Sequence, residues 1–238
     1  TPIVVNDTRG FYVNRCVLRY MAESYNMLIE GVPPVMIENA AKFAGMPVGP
    51  LALNDEVAID LSLKILNATV ADLGEKAVDP RHLELVTRLV EQEGRFGRKN
   101  GKGFYDYPPK PAKKSLWPGL KALYPQQKPD DVDMDVLKER FLVTIALEAA
   151  RTMEEGIVTD PREADVGSIL GFGFAPYTGG ALSYIDGMGV KAFVALAEKL
   201  AKDYGAHFRP TPLLKEMAEK GETFYGRFNP WGASEQAA

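Results

Sequence analysis

The chain has 238 residues, of which 46% are hydrophobic and 25% are charged. These values are ordinary for a globular protein with one or two buried cores. The 28 Lys and Arg against 32 Asp and Glu leave a net charge of −4, which excludes a global basic field that would hold nucleic acid or an anionic membrane. An anionic ligand must therefore be met by a local cluster of cations.

The chain has one cysteine, Cys16, which excludes an intrachain disulfide framework and favours a reducing compartment. No apolar run approaches the roughly 20 residues of a membrane span. We therefore expect a protein of the cytoplasm or of an organelle matrix, without a transmembrane segment. Residue 1 is Thr rather than Met, and we expect the chain to begin inside a longer protein.

Helical periodicity dominates the first hundred residues, and glycine or proline marks the helix ends. Apolar residues at helical spacing predict helices over 11–30 before Gly31, from Pro33-Pro34 to Gly45, over 59–73 before Gly74, and from Pro80 to Gly94. Nothing in this stretch alternates like a sheet strand. Six prolines then fall between Pro108 and Pro129, which predicts a linker over 108–133 that carries neither helix nor strand.

Helical signals resume after the linker. A helix with Leu142, Ile145, Ala149 and Met153 on one face is predicted up to Gly156. Asp160-Pro161 then has the pattern of an N-cap with proline at the first helical position, and we expect that helix to end at Gly171. A final stripe of Phe193, Leu196, Ala197 and Leu200 predicts a helix that ends near Gly205.

The two halves repeat the same features in the same order. Glu30-Gly31 corresponds to Glu155-Gly156, 125 residues on; Asp55 and Gly74 to Asp186 and Gly205, 131 residues on; and Phe104-Tyr105 to Phe224-Tyr225, 120 residues on. The offset changes where loops would absorb it, as an old duplication predicts. We therefore predict a first copy at 1–107, the linker at 108–133, a second copy at 134–228 and a tail at 229–238; the alternative is two bundles that share glycine caps by chance.

Most catalytic machinery is missing from the sequence. With Cys16, His82 and His207 as the only cysteine and histidines, there is no spacing for a zinc site and no Cys–His pair, so we expect no metal. No Gly-x-Gly-x-x-Gly follows a strand, and the segment 97–103 lacks the spacing and the Ser or Thr of a phosphate-binding P-loop. We expect that this chain cannot hold a dinucleotide unaided.

Two segments still carry unusual chemistry. Asn14 is an amide among hydrophobic neighbours at a helix start, where it can donate to a substrate oxygen. The segment 95–105 places four cations on a glycine-rich loop between aromatic residues, where they can meet a phosphate or a carboxamide. From the residues alone, a structural amide and a solvated turn are the commoner explanations.

Taken together, three ordered motifs resemble the C-terminal domain of 3-hydroxyacyl-CoA dehydrogenases. They are Gly10-Phe11-Tyr12-Val13-Asn14-Arg15 with the residues before it, Gly45-Met46-Pro47-Val48-Gly49-Pro50, and Phe96-Gly97-Arg98-Lys99-Asn100-Gly101-Lys102-Gly103-Phe104-Tyr105. The segment 171–180 resembles the final domain of the multifunctional fatty-acid oxidation proteins, which join an enoyl-CoA hydratase to this dehydrogenase. The likeness covers nearly the whole chain except the linker and the tail.

This resemblance implies an all-α fold, made of two tandem copies of the helical domain that resembles the C-terminal domain of 6-phosphogluconate dehydrogenase. It also implies NAD as cofactor and 3-hydroxyacyl-CoA or 3-ketoacyl-CoA as substrate, within fatty-acid β-oxidation. In the family, a Rossmann domain binds NAD and supplies a histidine base, and we expect both to lie outside this chain. Asn14 carries over as the residue that positions the substrate, and Lys99 as a contact to NAD.

The same resemblance implies partners and a division of labour. We expect N-terminal Rossmann and hydratase domains in the same polypeptide, and a thiolase subunit as a further partner. In the second copy Glu139 stands where the first has Asn14, and no cationic glycine loop precedes Phe224. We therefore expect a degenerate second copy, which takes the place of a partner subunit in an internal pseudo-dimer.

Two other functions stay open at this stage. The chain could be a non-catalytic helical scaffold, a docking module of a fatty-acid oxidation complex, or it could belong to a different hydroxy-acid dehydrogenase. The preferred prediction is part of an NAD-dependent 3-hydroxyacyl-CoA dehydrogenase that is inactive on its own.

Overall fold

The structure is a computed structural model that describes residues 1–228, and the predicted tail, 229–238, lies outside the described residues. The described chain is helical apart from one two-stranded sheet, so the all-α prediction is confirmed. The α-helices are α1 Val13–Ile29, α2 Pro34–Phe43, α3 Pro50–Val57, α4 Ile59–Leu73, α5 Pro80–Thr87, α6 Leu120–Leu123, α7 Met134–Glu154, α8 Pro161–Val166, α9 Ala181–Met188, α10 Val190–Tyr204, α11 Pro212–Lys220 and α12 Phe224–Arg227. The strands are β1 Tyr105–Asp106 and β2 Ser115–Leu116.

The helix ends follow the predicted capping residues. Helix α4 covers the predicted range 59–73 and is closed by Gly74. At the start of α8 the Asp160 carboxylate accepts from the backbone N–H of Arg162 at 2.9 Å, with Pro161 as the first helical residue. This helix continues as a π-helical turn, Gly167–Gly171, so the predicted end at Gly171 is confirmed. The start of α8 is therefore well defined. The Asp160 side chain accepts from a free N–H group of the first turn, and Pro161 has no N–H group that would need an acceptor.

The periodicity did not predict α3, α9 and α11. Each has eight or nine residues, which gives little more than two turns over which an apolar stripe could repeat. All three are nevertheless well buried on one side: α3 through Leu51 and α9 through Leu182, both with no exposed surface. Tertiary packing rather than a local pattern stabilises these short helices.

The chain divides into two compact units, which we name after a helix that each contains. The α7 unit comprises Thr1–Tyr20, Ala44–Pro47 and Lys138–Ala238, and the α4 unit comprises Met21–Phe43 and Val48–Leu137. The predicted boundaries of the two copies follow the sequence repeat and remain a prediction. The compact units differ from them because the first 20 residues pack with the second half of the chain.

The α7 unit is built around α7 and a set of buried aromatic rings. Its fully buried rings are Phe141, Phe174, Phe193, Phe208 and Phe224. The N-terminal segment joins this unit through its backbone, since the N–H of Asn6 donates to the carbonyl of Ile157 at 2.8 Å. The first residues are thus held by the later half of the chain rather than by their sequence neighbours.

The α4 unit has its own core and a small sheet. Leu51, Ile59, Leu85 and Leu89 are completely or almost completely buried in it, together with the ring of Phe104. Strand β1 pairs antiparallel with β2, with Tyr105 opposite Leu116 and Asp106 opposite Ser115. The sheet closes the loop that contains the predicted cations against the helices of this unit.

The linker prediction requires a correction. The range 108–133 contains β2 and α6, so the expectation that it carries neither strand nor helix is wrong. Its prolines flank these elements instead of interrupting them, and Leu120, two residues after Pro118, is buried. The segment is also tied down further along, where the N–H of Gln127 donates to the carbonyl of Gly31 at 2.8 Å.

One stretch of elements occurs twice at a constant spacing. Helices α3 and α4 and the 3₁₀ turn Glu75–Ala77 recur 131 residues later as α9, α10 and the 3₁₀ turn Ala206–Phe208, with identical lengths. The junction between the two helices repeats too: Ala58 has φ 83° and Gly189, at the same place, has φ 89°. A positive φ strains a residue with a Cβ atom, so this unusual turn is unexpected in two unrelated bundles.

Candidate active site

The start of α1 is held by a tight turn in the α7 unit. The N–H of Phe11 donates to the carbonyl of Thr8 at 3.1 Å, and Phe11 itself has φ 50°. The turn sends the next residue, Tyr12, into the core, where its hydroxyl donates to the carbonyl of Ala164 at 2.9 Å. The first helical residues after it therefore have a fixed position.

Asn14 and Arg15 occupy different environments on this helix start. Asn14 is exposed. Arg15 is bound on both sides: its guanidinium lies 2.7 Å from Glu148 and also pairs with Glu155. Arg15 is therefore a structural residue, and Asn14 is the polar group left facing solvent.

Glu148 is the centre of this ion cluster and is 2% exposed. Arg19 and Arg151 each approach it at 2.9 Å, in addition to Arg15. Burial alone would raise the pKa of Glu148, but the three guanidinium groups lower it below its usual value. Such a buried carboxylate stays ionised because it is fully paired.

Residues 171 and 172, in the predicted second copy, pack against the helix start that carries Asn14. A Cβ on Gly171 would lie 2.9 Å from Cγ2 of Val13, and the ring of Phe172 lies 6.3 Å from that of Tyr12. Residues 171 and 172 belong to the segment that resembles the final domain of the multifunctional proteins. This contact supports the expectation that the second copy braces the first.

The side chain of Asn100 holds the glycine-rich loop of the α4 unit together through hydrogen bonds to the loop backbone. Its carboxamide oxygen accepts from the N–H of Phe96 at 3.2 Å and of Lys102 at 3.3 Å, and its amide donates to the carbonyl of Gly94 at 2.9 Å. Asn100 therefore closes the loop on itself. Its side chain is therefore a structural part of the loop.

Arg95 fastens the far end of the same loop. It is 5% exposed and donates to the carbonyl of Gly103 at 2.6 Å, and it pairs with Asp106. Its guanidinium also lies over the ring of Trp117, 4.2 Å from the centroid. Of the four cations predicted on the loop, Arg95 is thus a buried structural residue.

The remaining cations point outward. Arg98 binds both carboxylate oxygens of Glu56, at 2.7 and 2.9 Å. The ammonium of Lys99 lies 2.5 Å from Oδ1 of Asp60, and its side chain is 49% exposed. Lys102 is exposed as well.

Asp55 connects this loop to α3. It is 1% exposed and accepts from the backbone N–H groups of Phe104 at 2.7 Å and Tyr105 at 2.9 Å, and from the hydroxyl of Tyr107 at 3.0 Å. A Cβ on Gly103 would overlap its carboxylate, which explains the glycine. Burial raises the pKa of Asp55 to about 6, against the effect of the three hydrogen bonds.

A similar arrangement occurs within the α7 unit, in the range of the predicted second copy. There the carboxylate of Asp186 accepts from the N–H groups of Phe224 at 2.9 Å and Tyr225 at 3.1 Å. Burial raises its pKa too. In the sequence repeat, Asp55 corresponds to Asp186, and the two Phe-Tyr pairs correspond to each other. The structure shows that in each unit the carboxylate accepts hydrogen bonds from the Phe-Tyr pair of that unit.

In each unit a second carboxylate completes the arrangement, and it was not identified from the sequence. Glu38 accepts from the N–H of Leu51 at 2.7 Å and from the Tyr105 hydroxyl at 2.7 Å. Asp165 accepts from the N–H of Leu182 at 2.7 Å and from the hydroxyl of Tyr225 at 2.8 Å. The exchange of Glu for Asp hid the correspondence, although the two residues lie 127 positions apart, close to the other offsets.

The structure places Asn14 in the α7 unit and Lys99 in the α4 unit. Each therefore belongs to the surface of its own unit, and their roles toward substrate and cofactor stay predictions. His82 is buried, and its Nε2 lies 2.7 Å from the side-chain oxygen of Asn26. Within residues 1–228 no group of three or more His, Cys, Asp or Glu side chains could hold a metal, and no helix is long and apolar enough to cross a membrane.

Comparison with known proteins shows which proteins the chain is similar to. Residues 10–107 match the family model of the 3-hydroxyacyl-CoA dehydrogenase C-terminal domain. Two relatives named fatty acid oxidation complex subunit alpha, from Shewanella loihica and Idiomarina loihiensis, are 40% and 38% identical over 225 residues. Each alignment covers 94% of this chain and 31% of the relative, so the chain spans about a third of the length of these relatives.

Solved structures show the same fold. The 3-hydroxybutyryl-CoA dehydrogenase of Escherichia coli K12 superposes with a TM-score of 0.67 at 20% identity, over 93% of this chain and 62% of that one. The dehydrogenase part of multifunctional enzyme 1 from C. elegans gives 0.65 at 20% identity, over 90% of this chain and 49% of that one. Residues 10–107 are therefore similar to the C-terminal domain of the 3-hydroxyacyl-CoA dehydrogenases, and the chain as a whole is similar to about a third of a fatty acid oxidation complex subunit alpha.

Proposed function

We propose that this chain is the substrate-side part of an NAD-dependent 3-hydroxyacyl-CoA dehydrogenase of fatty-acid β-oxidation. The observation that carries the proposal is the start of α1, where Arg15 is locked by Glu148 and the adjacent Asn14 is left exposed. An amide with a fixed backbone is suited to hold a reacting carbonyl or hydroxyl group in one orientation. The family match over residues 10–107 supports the proposal.

In this proposal the Asn14 amide donates a hydrogen bond to a substrate oxygen and so orients C3 toward the base. The histidine base and the dinucleotide-binding sheet are supplied by another part of the polypeptide, since the strands within residues 1–228 are only β1 and β2. The turn at Phe11 and the packing of Gly171 on Val13 keep the amide in place. In this proposal Asn14 positions the substrate, and the substrate hydroxyl proton is transferred to a base in another part of the polypeptide.

The fit of NAD to these residues is limited to one contact. NAD, when bound, accepts the hydride from C3. Lys99 offers a half-exposed ammonium on a loop fixed by Asn100 and Arg95, which suits a negatively charged part of the dinucleotide. The Lys99 ammonium therefore binds and orients the cofactor from the helical side.

The unequal roles of the two copies are part of the same proposal. The constant 131-residue spacing of α3–α4 and α9–α10 supports a duplication, as do the two Asp–Phe-Tyr arrangements. In the second copy Glu139 stands at the position of Asn14, so this copy keeps the packing but not the amide. Its place in an internal pseudo-dimer stays a prediction.

Further domains and a partner subunit are part of the proposal, and the names of the relatives support them. Since those are subunits of a fatty acid oxidation complex, we include a hydratase domain in the same polypeptide and a thiolase subunit as proposed partners. A cytoplasmic or organelle-matrix location belongs to the proposal as well.

A comparison of two substrates tests the proposed reaction. We expect the full-length protein to oxidise NADH with acetoacetyl-CoA and not with free acetoacetate, because the site is proposed for a thioester. The decrease in NADH absorbance measures both rates. Equal rates with the free acid would instead indicate a different hydroxy-acid dehydrogenase.

A further inference from the structure

Asp60 is the counter-ion of Lys99 in this structure. It lies in the first turn of α4, and its Oδ1 lies 2.5 Å from the Lys99 ammonium. The two side chains are 24% and 49% exposed. A residue proposed to bind the cofactor thus starts from an existing ion pair.

The ion pair involves one carboxylate oxygen of Asp60. Oδ1 of Asp60 is shielded from solvent and lies 2.5 Å from the Lys99 ammonium. The Lys99 ammonium holds the pKa of Asp60 below its usual value. Partly exposed pairs of this kind contribute little to stability, so Lys99 can exchange its partner at low cost.

Asp60 keeps favourable neighbours when Lys99 leaves it. An acidic residue in the first turn of a helix interacts favourably with the free N–H groups there. Lys64 lies one turn further along α4 and also acts on the Asp60 charge. The charge of the Asp60 carboxylate therefore remains stabilised when Lys99 is released.

The neighbouring pair behaves differently. Arg98 binds both oxygens of Glu56, at 2.7 and 2.9 Å, and such a two-bond contact is directional. Arg98 thus binds two carboxylate oxygens, whereas Lys99 contacts one carboxylate oxygen and its ammonium also lies 5.7 Å from the centroid of the Phe96 ring. The two pairs lie side by side on the same loop and provide a matched comparison.

We propose that Asp60 competes with an anionic diphosphate for Lys99 and so sets the affinity of this site for its nucleotide ligand. The inference rests on the proposed function, in which Lys99 contacts NAD. Because coenzyme A also contains a diphosphate, the two ligands are tested separately. Asp60 acts here through Lys99 and does not touch the reacting atoms.

The test is a binding measurement on the full-length protein, by fluorescence titration with NADH and by calorimetry with coenzyme A. We expect Asp60→Asn to lower the Kd for NADH about threefold, within the range of a surface ion pair, and Lys99→Ala to raise it. In the double variant Asp60→Asn/Lys99→Ala the Kd should equal that of Lys99→Ala alone. Glu56→Gln, the matched control, should leave the Kd unchanged.

The possible outcomes distinguish a failure of the Asp60 competition from a failure of the proposed contact between Lys99 and NAD. A lower Kd for coenzyme A instead of NADH supports the competition and assigns the diphosphate to the substrate. An Asp60→Asn variant in which the Kd is unchanged or higher for both NADH and coenzyme A, a threefold effect that persists without Lys99, or an equal effect of Glu56→Gln overturns the inference. If Lys99→Ala changes neither Kd, the proposed cofactor contact itself fails.

Discussion

Replacement of Asn14 by alanine is expected to lower kcat of the full-length protein with acetoacetyl-CoA by roughly 100-fold, the usual effect of losing one donor to a reacting oxygen. Asn14 is exposed, so the fold does not depend on its amide. Alanine is also the better helix former at this position in α1. The melting temperature should therefore not fall, and the Kd for NADH should stay the same, since the amide is proposed to contact the substrate.

The second copy provides the control for this variant. Glu139 stands 125 residues after Asn14, and Glu139→Ala should leave kcat within about twofold because that copy is proposed to have no substrate contact. Steady-state kinetics on both variants give the comparison. Unchanged kinetics in Asn14→Ala would favour the scaffold function, and an equal loss in Glu139→Ala would contradict the division of labour between the copies.

The largest effect on stability is expected for Asp55→Ala. This change leaves the buried N–H groups of Phe104 and Tyr105 without their acceptor, and each such group costs about 1–3 kcal/mol. We expect the free energy of unfolding of residues 1–238 to fall by about 4 kcal/mol in urea titrations followed by circular dichroism. Asp186→Ala should cost about half as much, because Tyr225 is 38% exposed and water can replace the lost bond.

The loss in Asp55→Ala should also depend on pH. Because burial raises the pKa of Asp55 to about 6, above the value near 3.9 of an unfolded chain, the folded protein holds this proton more tightly. The raised pKa therefore contributes to the free energy of unfolding below about pH 4, and this contribution is lost as the pH rises through 6. The difference between wild type and Asp55→Ala should thus be smaller at pH 8 than at pH 4; a larger difference at pH 8 would contradict the raised pKa.

Much of the fold could be predicted because helix ends are local. Gly74 and the Asp160-Pro161 pair determine nearby backbone hydrogen bonds, and these follow the sequence closely. The strand Ser115–Leu116 could not be predicted in the same way, because a strand of two residues has no periodicity and depends on its partner, Tyr105–Asp106. Proline content alone therefore gave the wrong expectation for the linker.

The motifs drew attention to Asn14 and Lys99 but not to the contacts around them. The structure places both side chains at exposed positions, and their roles stay predictions. The motifs did not reveal that Arg15 is locked by Glu148, since that contact joins residues 133 positions apart. For the same reason, the boundary of the compact units could not be read from the repeat.

The central claim is that this chain supplies substrate-side residues and lacks the base and the nucleotide-binding domain. The most direct test is the rate of NADH oxidation with acetoacetyl-CoA, measured for residues 1–238 alone and for the full-length protein at equal concentration. We predict no turnover above background for residues 1–238 and clear turnover for the full-length protein. Robust turnover by residues 1–238 would contradict the account, because the base and the cofactor site would then have to lie within this chain.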